Sequence, residues 1–151
     1  MTDTSTAAIF NILLTRDPIA YAQISGVDDN PNPQGFVLFF PIWDGTLVLA
    51  DITGLPTDEA ACTPDFYGFH VHNEGAHYNP GNCPHPAHAG DMPPILGNHG
   101  FAWQMFYTDR FHPEEIAGMM VVIHKNPDDF TTQPSGNSGA FLATGEIKRY
   151  V

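Results

Sequence analysis

Short β-rich segments separated by turn residues run along most of this chain and limit what it can fold into. The 14 glycines and 14 prolines among its 151 residues favour many turns and few long helices. Eight segments rich in Val, Ile, Leu, Phe or Tyr are predicted to be strands. They are Ile9–Leu14, Ala20–Ile24, Phe36–Ile42, Leu47–Ile52, Tyr67–His72, Gly100–Tyr107, Met119–His124 and Leu142–Ile147. The one predicted helical turn is Pro113–Gly118, in which acidic residues follow the proline as a first turn prefers.

The strand spacing predicts an all-β fold, namely an eight-stranded Greek-key β-barrel or sandwich. The early strands follow one another at hairpin spacing, whereas two long loops, Asn73–Gly100 and Lys125–Gly139, come later. Loops of this length usually carry function. The sequence has no internal repeat and no linker, so residues 1–151 are expected to form a single domain.

Histidine is the most unusual residue of the chain, because its eight copies outnumber the five lysines and arginines. His70 and His72 alternate on a predicted strand, so both side chains project from one face. The loop that follows supplies His77, His85, His88 and Asp91. Imidazoles with one carboxylate suit the tetrahedral coordination of zinc, although a His-x-His pair can be a surface coincidence and a polar loop can simply be solvated. His124 ends another apolar strand and is a candidate ligand because the rest of a site is already present.

These residues belong to a longer series of motifs. In chain order the motifs are Gly68-Phe69-His70-Val71-His72, His77-Tyr78-Asn79-Pro80, His88-Ala89-Gly90-Asp91-Met92, Val122-Ile123-His124 with Asp128-Asp129, and Gly136-Asn137-Ser138-Gly139. In content and order, the segment from about Leu55 to Gly145 resembles the copper/zinc superoxide dismutase family.

The resemblance implies a two-metal site that uses six of the eight histidines. Copper would be bound by His70, His72, His77 and His124. Zinc would be bound by His77, His85, His88 and Asp91, so that His77 bridges the two ions through both ring nitrogens. Asp128 would be the carboxylate that ties His70 to His85, and such a group fixes the orientation of the rings. His99 and His112 have no implied role and are expected to face solvent or to cap an element.

The resemblance also implies an activity, the disproportionation of superoxide to dioxygen and hydrogen peroxide. Copper would alternate between Cu(II) and Cu(I). His77 would be the catalytic residue that takes up a proton and returns it, while zinc holds the ring in place and tunes its pKa. Copper and zinc are therefore the expected cofactors, and the superoxide anion is the expected substrate.

The sequence departs from the family pattern near its C-terminal end. Phe141 stands where the family has an arginine above copper. An arginine there would attract and orient superoxide, so weaker steering and a lower rate are expected, with Lys125 as a partial substitute. Thr144 replaces a family cysteine, and the loop that would carry the partner cysteine is shortened to Asn73–Ala76. Both ends of the family disulfide are therefore missing.

The two cysteines, Cys62 and Cys83, lie at other positions and are interpreted as separate thiols. The alternatives are a disulfide between them or, for Cys83, a place among the zinc ligands. The missing family disulfide fits a reducing compartment, and no basic region precedes the first apolar segment as in a signal peptide. A cytoplasmic location is expected, with a secreted protein expressed without its leader as the alternative.

The formal net charge of −12 argues against binding to nucleic acid or to an anionic membrane, since both need a basic surface. It also opposes an anionic substrate unless a local feature reverses the field. No segment approaches the roughly 20 apolar residues that span a bilayer. The apolar strand Gly35–Trp43 permits a homodimer without requiring one.

Two other functions are compatible with parts of the pattern. A protein of dismutase fold that buffers copper or zinc without useful turnover is favoured by Phe141 and by the shortened loop, but not by the complete copper set. A cupin-type β-barrel metalloenzyme also begins with His-x-His on a strand. However, Glu74 lies too close to serve as the cupin glutamate, and the zinc set would then have no purpose.

Overall fold

Antiparallel strands form most of the regular structure in the computed structural model, which describes residues 6–57, 62 and 65–151. The helix α1 (Thr6–Thr15) comes first, and a 3-10 helix spans Pro113–Ile116. The strands are β1 Ala20–Gly26, β2 Gln34–Ile42, β3 Gly45–Thr53, β4 Phe66–Tyr67, β5 Phe69–Asn73, β6 Ala76–His77, β7 Ile95–Leu96, β8 Ala102–Thr108, β9 Met120–His124 and β10 Phe141–Arg149. The helices among the described residues lack the length and apolar character needed to span a bilayer.

Eight of these strands form one curled antiparallel sheet in the order β6-β5-β9-β10-β1-β2-β3-β8, and β4 pairs separately with β7. Strands β1, β2 and β3 are joined in order by hairpins. The neighbours β10 and β1, and likewise β3 and β8, are far apart in the chain, as in a Greek-key fold. The predicted all-β class and the eight-stranded sheet are confirmed. The long loops are also present, at residues 78–94 and 125–140.

The prediction of a strand at Ile9–Leu14 is wrong, because this segment lies in α1. A short apolar run cannot be assigned to a strand or a helix by periodicity alone. Ile9, Ile12 and Leu13, spaced three and four residues apart, pack against the outer face of the sheet beside Phe40 and Leu47, which is the spacing of one helix face. The eighth strand of the sheet is instead β6, which was not predicted.

The predicted strand Tyr67–His72 is divided at Gly68 into β4 and β5. A Cβ atom at Gly68 would overlap the side chain of Ser138, so only glycine permits this close approach of the two segments. The 3-10 helix confirms the predicted helical turn. His99 and His112 are both exposed, as expected.

The core lies on the inner face of the sheet. Side chains alternate between the two faces of a strand, and the inward residues are fully or almost fully buried. They include Val37, Phe39, Val48, Ala50, Ile52, Phe69, Val71, Val121, Ile123, Leu142 and Ile147. The alternate residues of β5 and β9 therefore point to the outer face, which the two long loops cover.

Candidate metal centre

His70 and His72 lie on the outer face of β5. Phe69 and Val71 on the same strand are completely buried in the core, so strand alternation turns the two histidines away from it. They are nevertheless only 0% and 6% exposed. The loops that cover this face thus create a buried polar site outside the hydrophobic core.

Two neighbouring strands bring further histidines to this face. His77 on β6 is paired with His72 across the β5–β6 ladder. His124 ends β9, and its backbone N–H donates to the carbonyl oxygen of Gly68 at 2.8 Å. One ring nitrogen from each of four histidines lies within 4.8 Å of the others. The four are His70, His72, His77 and His124, the set that the sequence predicts for copper.

Each of these four rings has a buried nitrogen that no described residue hydrogen-bonds. The atoms are His70 Nδ1, His72 Nε2, His77 Nε2 and His124 Nε2. A buried polar atom without a partner costs about 1–3 kcal/mol, and that cost disappears when a metal ion accepts the lone pair. Four imidazole nitrogens in one place are a donor set that suits copper, so the residues fit the metal that the sequence implies.

A second cluster of donors lies on the other side of His77. Its Nδ1 is 2.8 Å from Asp91 Oδ1 and 3.2 Å from His88 Nδ1. Asp91 Oδ2 lies 3.1 Å from His85 Nδ1 and 3.2 Å from His88 Nδ1. The four residues that the sequence predicts for zinc therefore also converge. His77 presents Nδ1 to this cluster and Nε2 to the first, which is the arrangement that a bridging imidazole requires.

Asp128 connects the two clusters through hydrogen bonds to one histidine of each. Its Oδ2 is 2.8 Å from His70 Nε2, and its Oδ1 is 2.8 Å from His85 Nε2. Both rings donate through Nε2, which leaves Nδ1 of each free to bind a metal. Gly136 (φ +71°) lies against this bridge, and a Cβ there would overlap the carboxylate. Asp128 thus contacts both His70 and His85, the two rings that its predicted role joins.

Burial favours the uncharged form of three histidines in the first cluster, His70, His72 and His124. Burial, and next the charge of nearby His77, lowers the pKa of His70 to about 4 and that of His72 to about 3. Burial also lowers the pKa of His124. These three rings are therefore neutral at pH 7, and the neutral imidazole is the form that binds metal ions.

The two carboxyl groups stay ionised for a different reason. Burial alone would raise the pKa of Asp91 and of Asp128, but hydrogen bonds from histidines lower both pKa values below the usual 3.8. The donor is His77 for Asp91, and the donors are His70 and His85 for Asp128. Each carboxylate thus brings one negative charge to a site that is predicted to hold two cations.

Three supporting contacts were not predicted from the sequence. Gln133 clamps the backbone of His85, since its amide accepts from the His85 N–H at 2.9 Å and donates to the His85 carbonyl at 2.7 Å. Arg110 donates to the carbonyls of Pro86 and His88 at 2.7 and 3.1 Å. The His124 Nδ1–H donates to the carbonyl of Gly139 at 2.9 Å, which leaves Nε2 with the lone pair. No local motif marks these contacts, because each joins residues at least 15 positions apart.

Comparison with known proteins agrees with this geometry. Residues 34–147 match the family model described as copper/zinc superoxide dismutase. The chain belongs to the copper/zinc superoxide dismutase family. The resemblance drawn from the sequence motifs is thereby confirmed.

Several relatives in this family are named as dismutases. The chain is 33% identical over 156 residues to superoxide dismutase [Cu-Zn] 3 of Arabidopsis thaliana, covering 85% of this chain and 88% of the relative. It is 28% identical over 145 residues to a Cu-Zn superoxide dismutase of Deinococcus radiodurans, covering 75% and 76%. It is 29% identical over 136 residues to the extracellular Cu-Zn superoxide dismutase of Mus musculus, covering 76% of this chain and 53% of the relative. The chain thus spans about half the length of that mouse protein.

Phe141, at the position where the resemblance implies an arginine, borders the first cluster. It begins β10 and is paired with His124 across the β9–β10 ladder. Its ring stands almost perpendicular to the rings of His72 and His124, with centroids 5.4 and 5.5 Å away, and is 41% exposed. An aromatic side chain therefore borders the cluster at the position where the resemblance implies a cation.

Lys125 does not point to this position. Its Nζ is 2.7 Å from Asp29 Oδ2, in the loop that follows β1, and the side-chain hydrogen bond from Lys125 lowers the pKa of Asp29. The expectation that Lys125 partly substitutes for the arginine finds no support in this contact, because its charge is already paired.

The cysteines stand apart from both clusters. Cys62 and Cys83 are free and exposed, in agreement with their interpretation as separate thiols. The Cys83 Sγ lies 3.6 Å from the carbonyl oxygen of Gly81, and neither metal-capable group of described residues includes it.

Proposed function

We propose that this chain is a superoxide dismutase with weakened steering of the anion, acting at a copper/zinc site that His77 bridges. The observation that carries the proposal is the convergence of four buried histidines, each with a ring nitrogen that lacks a hydrogen-bond partner among the described residues. The dismutase names of the relatives support the same activity.

The proposed binding groups follow the two clusters. Copper would be held by His70, His72, His77 and His124. Zinc would be held by His77, His85, His88 and Asp91. Bound copper supplies one-electron oxidation and reduction, and zinc supplies a fixed positive charge beside His77.

In the reaction, one superoxide gives up an electron and leaves as dioxygen, while a second gains one electron and two protons to become hydrogen peroxide. His77 is proposed to hold one of these protons at Nε2 and to release it toward the cavity that its side chain lines. Asp128 would keep the rings of His70 and His85 in position through its two 2.8 Å hydrogen bonds. Phe141 offers no charge with which to draw the anion inward.

Three broader expectations stay predictions. A single domain over residues 1–151, a cytoplasmic location and a homodimer are each compatible with the sequence. The location is supported by the loss of both family disulfide positions, which suits a reducing compartment. The homodimer is supported by the exposed side chain of Phe36 on β2.

The test is the decay of superoxide on protein loaded with copper and zinc, with the content of both metals measured per chain. We expect decay that requires copper and that is lost with copper binding in His72→Ala. A matched control is His99→Asn, because His99 is exposed and asparagine tolerates its φ of +50°; this variant should keep both metal and activity. Decay no faster than the background of metal-free protein would reject the proposal.

Metal buffering without turnover is the second candidate, and Phe141 is the observation that favours it. Phe141→Arg separates the two functions, because it restores a cation beside the cluster. Phe10→Arg adds the same charge at an exposed phenylalanine on α1 and controls for the change in net charge. If the parent is an enzyme, only Phe141→Arg should raise a measurable rate by several-fold. If the parent and both variants are inert while holding metal, the buffering function is correct.

A further inference from the structure

The loop at residues 78–94, here called the zinc loop, carries three of the four proposed zinc ligands outside any strand. Its two ends are tied to β5, because the Tyr78 N–H donates to the Val71 carbonyl at 2.8 Å and the Val71 N–H donates to the Gly90 carbonyl at 2.9 Å. Between these ends, three prolines remove backbone donors. The placement of His85 and His88 relative to the sheet therefore depends on side chains that reach the loop from other segments.

Arg110 reaches the zinc loop from the segment that follows β8. Its Nη1 group donates to the carbonyl oxygen of Pro86 at 2.7 Å and to that of His88 at 3.1 Å. Pro86 directly follows His85, so one guanidinium nitrogen holds peptide groups next to both ligand histidines. Because the two bonds share one nitrogen, they limit how far apart the two carbonyl oxygens can move.

The backbone of Arg110 is fixed to the core. Its N–H donates to Thr108 Oγ1 at 3.2 Å. The next residue, Phe111, is 1% exposed, and its ring packs edge-to-face with Phe39 at a centroid distance of 6.2 Å. The Phe111 carbonyl also accepts from the Thr46 hydroxyl at 2.7 Å. Arg110 therefore connects the zinc loop to the rigid part of the molecule.

The charge of Arg110 does not explain these contacts. Both of its side-chain hydrogen bonds go to carbonyl oxygens, and no described carboxylate forms an ion pair with it. A cation close to the site repels Zn²⁺, so charge alone would weaken zinc binding. The hydrogen bonds to the loop have the opposite effect, because they hold two ligands in place. Removing Arg110 therefore distinguishes the two roles by the sign of the change.

We propose that Arg110 is a positioning residue of the zinc site and sets the places of His85 and His88 before the ion binds. It thereby determines how tightly zinc is held, but not copper, because the proposed copper ligands lie on β5, β6 and β9 rather than in the zinc loop. The inference rests on the zinc ligands of the proposed function and is independent of superoxide turnover.

The experiment starts from the copper- and zinc-loaded protein and measures both metal affinities by competition with chelators of known affinity. Arg110→Met removes both hydrogen bonds. Arg110→Lys keeps the charge, but its side chain is one atom shorter and loses at least one of the two bonds. We expect both variants to weaken zinc binding by about tenfold or more, while copper affinity stays within about twofold of the parent.

A matched control and a spectroscopic measurement make the assignment specific. Arg149→Met removes the same charge from an exposed arginine at the end of β10 and should leave zinc affinity within about twofold of the parent. Cobalt(II) bound in place of zinc reports positioning, because its visible absorption depends on the arrangement of its ligands. The cobalt spectrum should change in both Arg110 variants and stay the same in Arg149→Met.

Three results would overturn the inference. Zinc affinity that is unchanged or higher in Arg110→Met would show that the hydrogen bonds do not position the ligands. Equal losses of zinc and copper would make Arg110 a support of the whole fold. An equal loss of zinc in Arg149→Met would assign the effect to net charge.

Superoxide decay, measured on the same samples, tests the proposed function separately. A parent that holds zinc through Arg110 but does not accelerate the decay would leave the inference standing and remove the proposed function. Copper-dependent decay in a parent whose zinc affinity does not depend on Arg110 would do the reverse.

Discussion

A single carboxylate controls the orientation of one ring in each cluster. Asp128 accepts from His70 Nε2 and from His85 Nε2 at 2.8 Å, and its Oδ1 also accepts from the backbone N–H of Phe130. Because both rings donate a hydrogen bond to this carboxylate through Nε2, Nδ1 is the atom that each can offer to a metal ion. The two proposed metal sites therefore depend on one side chain.

Replacing this carboxylate should weaken both metal sites together. In Asp128→Asn the side chain keeps its shape, but its NH₂ group cannot accept a hydrogen bond, so one of the two rings loses its partner. We expect the affinity for zinc and for copper to fall by about 10- to 100-fold, measured by competition with a chelator of known affinity.

The neighbouring residue provides the matched control for that measurement. Asp129 is also a carboxylate in the same loop, but its hydrogen bonds go to Thr131 and Thr132. Asp129→Asn should leave both metal affinities within about twofold of the parent, since surface changes of this kind have small effects. Equal losses in the two variants would mean that the charge of the loop, rather than the bridge, determines metal affinity.

At the level of elements, α1 differs most from what the sequence predicts. Ile9, Ile12 and Leu13 pack on a second apolar cluster on the outer face of the sheet, beside Phe40 and Leu47. None of the helix residues is fully buried. The helix therefore covers part of an apolar face that the strands would otherwise expose.

The stability contributed by this contact can be measured with two substitutions in the same helix. Ile12→Ala removes half-buried apolar surface and should lower the free energy of unfolding by about 1–2 kcal/mol. Leu14 is 82% exposed, so Leu14→Ala should change it by less than about 0.5 kcal/mol. Urea unfolding of both variants, with the same metal content, provides the values. Equal effects would show that α1 does not pack on the sheet in solution.

The elements that could be predicted are those whose signal lies within the element itself. β5 combines strand alternation with two histidines two residues apart, so the shared face of His70 and His72 was predicted from the strand itself. The place of His124 beside them was predicted from the resemblance to the family. β6 and β7 have only two residues each and exist because β5 and β4 pair with them. The clamp between Gln133 and His85 joins residues 48 positions apart, and no local pattern encodes such a contact.

At the scale of the whole molecule, the negative net charge repels the proposed substrate, which is an anion. The net charge is −12, and the exposed Glu74 lies beside Gly75 and Ala76 at the cavity. Lys125 is already paired with Asp29. Superoxide therefore approaches a molecule of like sign, and the two proposed metal ions supply the local attraction.

Screening by salt should consequently increase the rate of superoxide decay. The Debye length falls from about 30 Å at 0.01 M ionic strength to about 8 Å at 0.15 M, which suppresses the repulsion from distant carboxylates more than the attraction at the metals. We expect the second-order rate constant of the copper- and zinc-loaded protein to rise over this range in a buffer that does not coordinate copper. In Phe141→Arg the rise should be smaller, since salt also screens the attraction that the added cation provides. A rate constant that falls with salt would mean that the metal ions, rather than the net charge, set the field through which superoxide arrives.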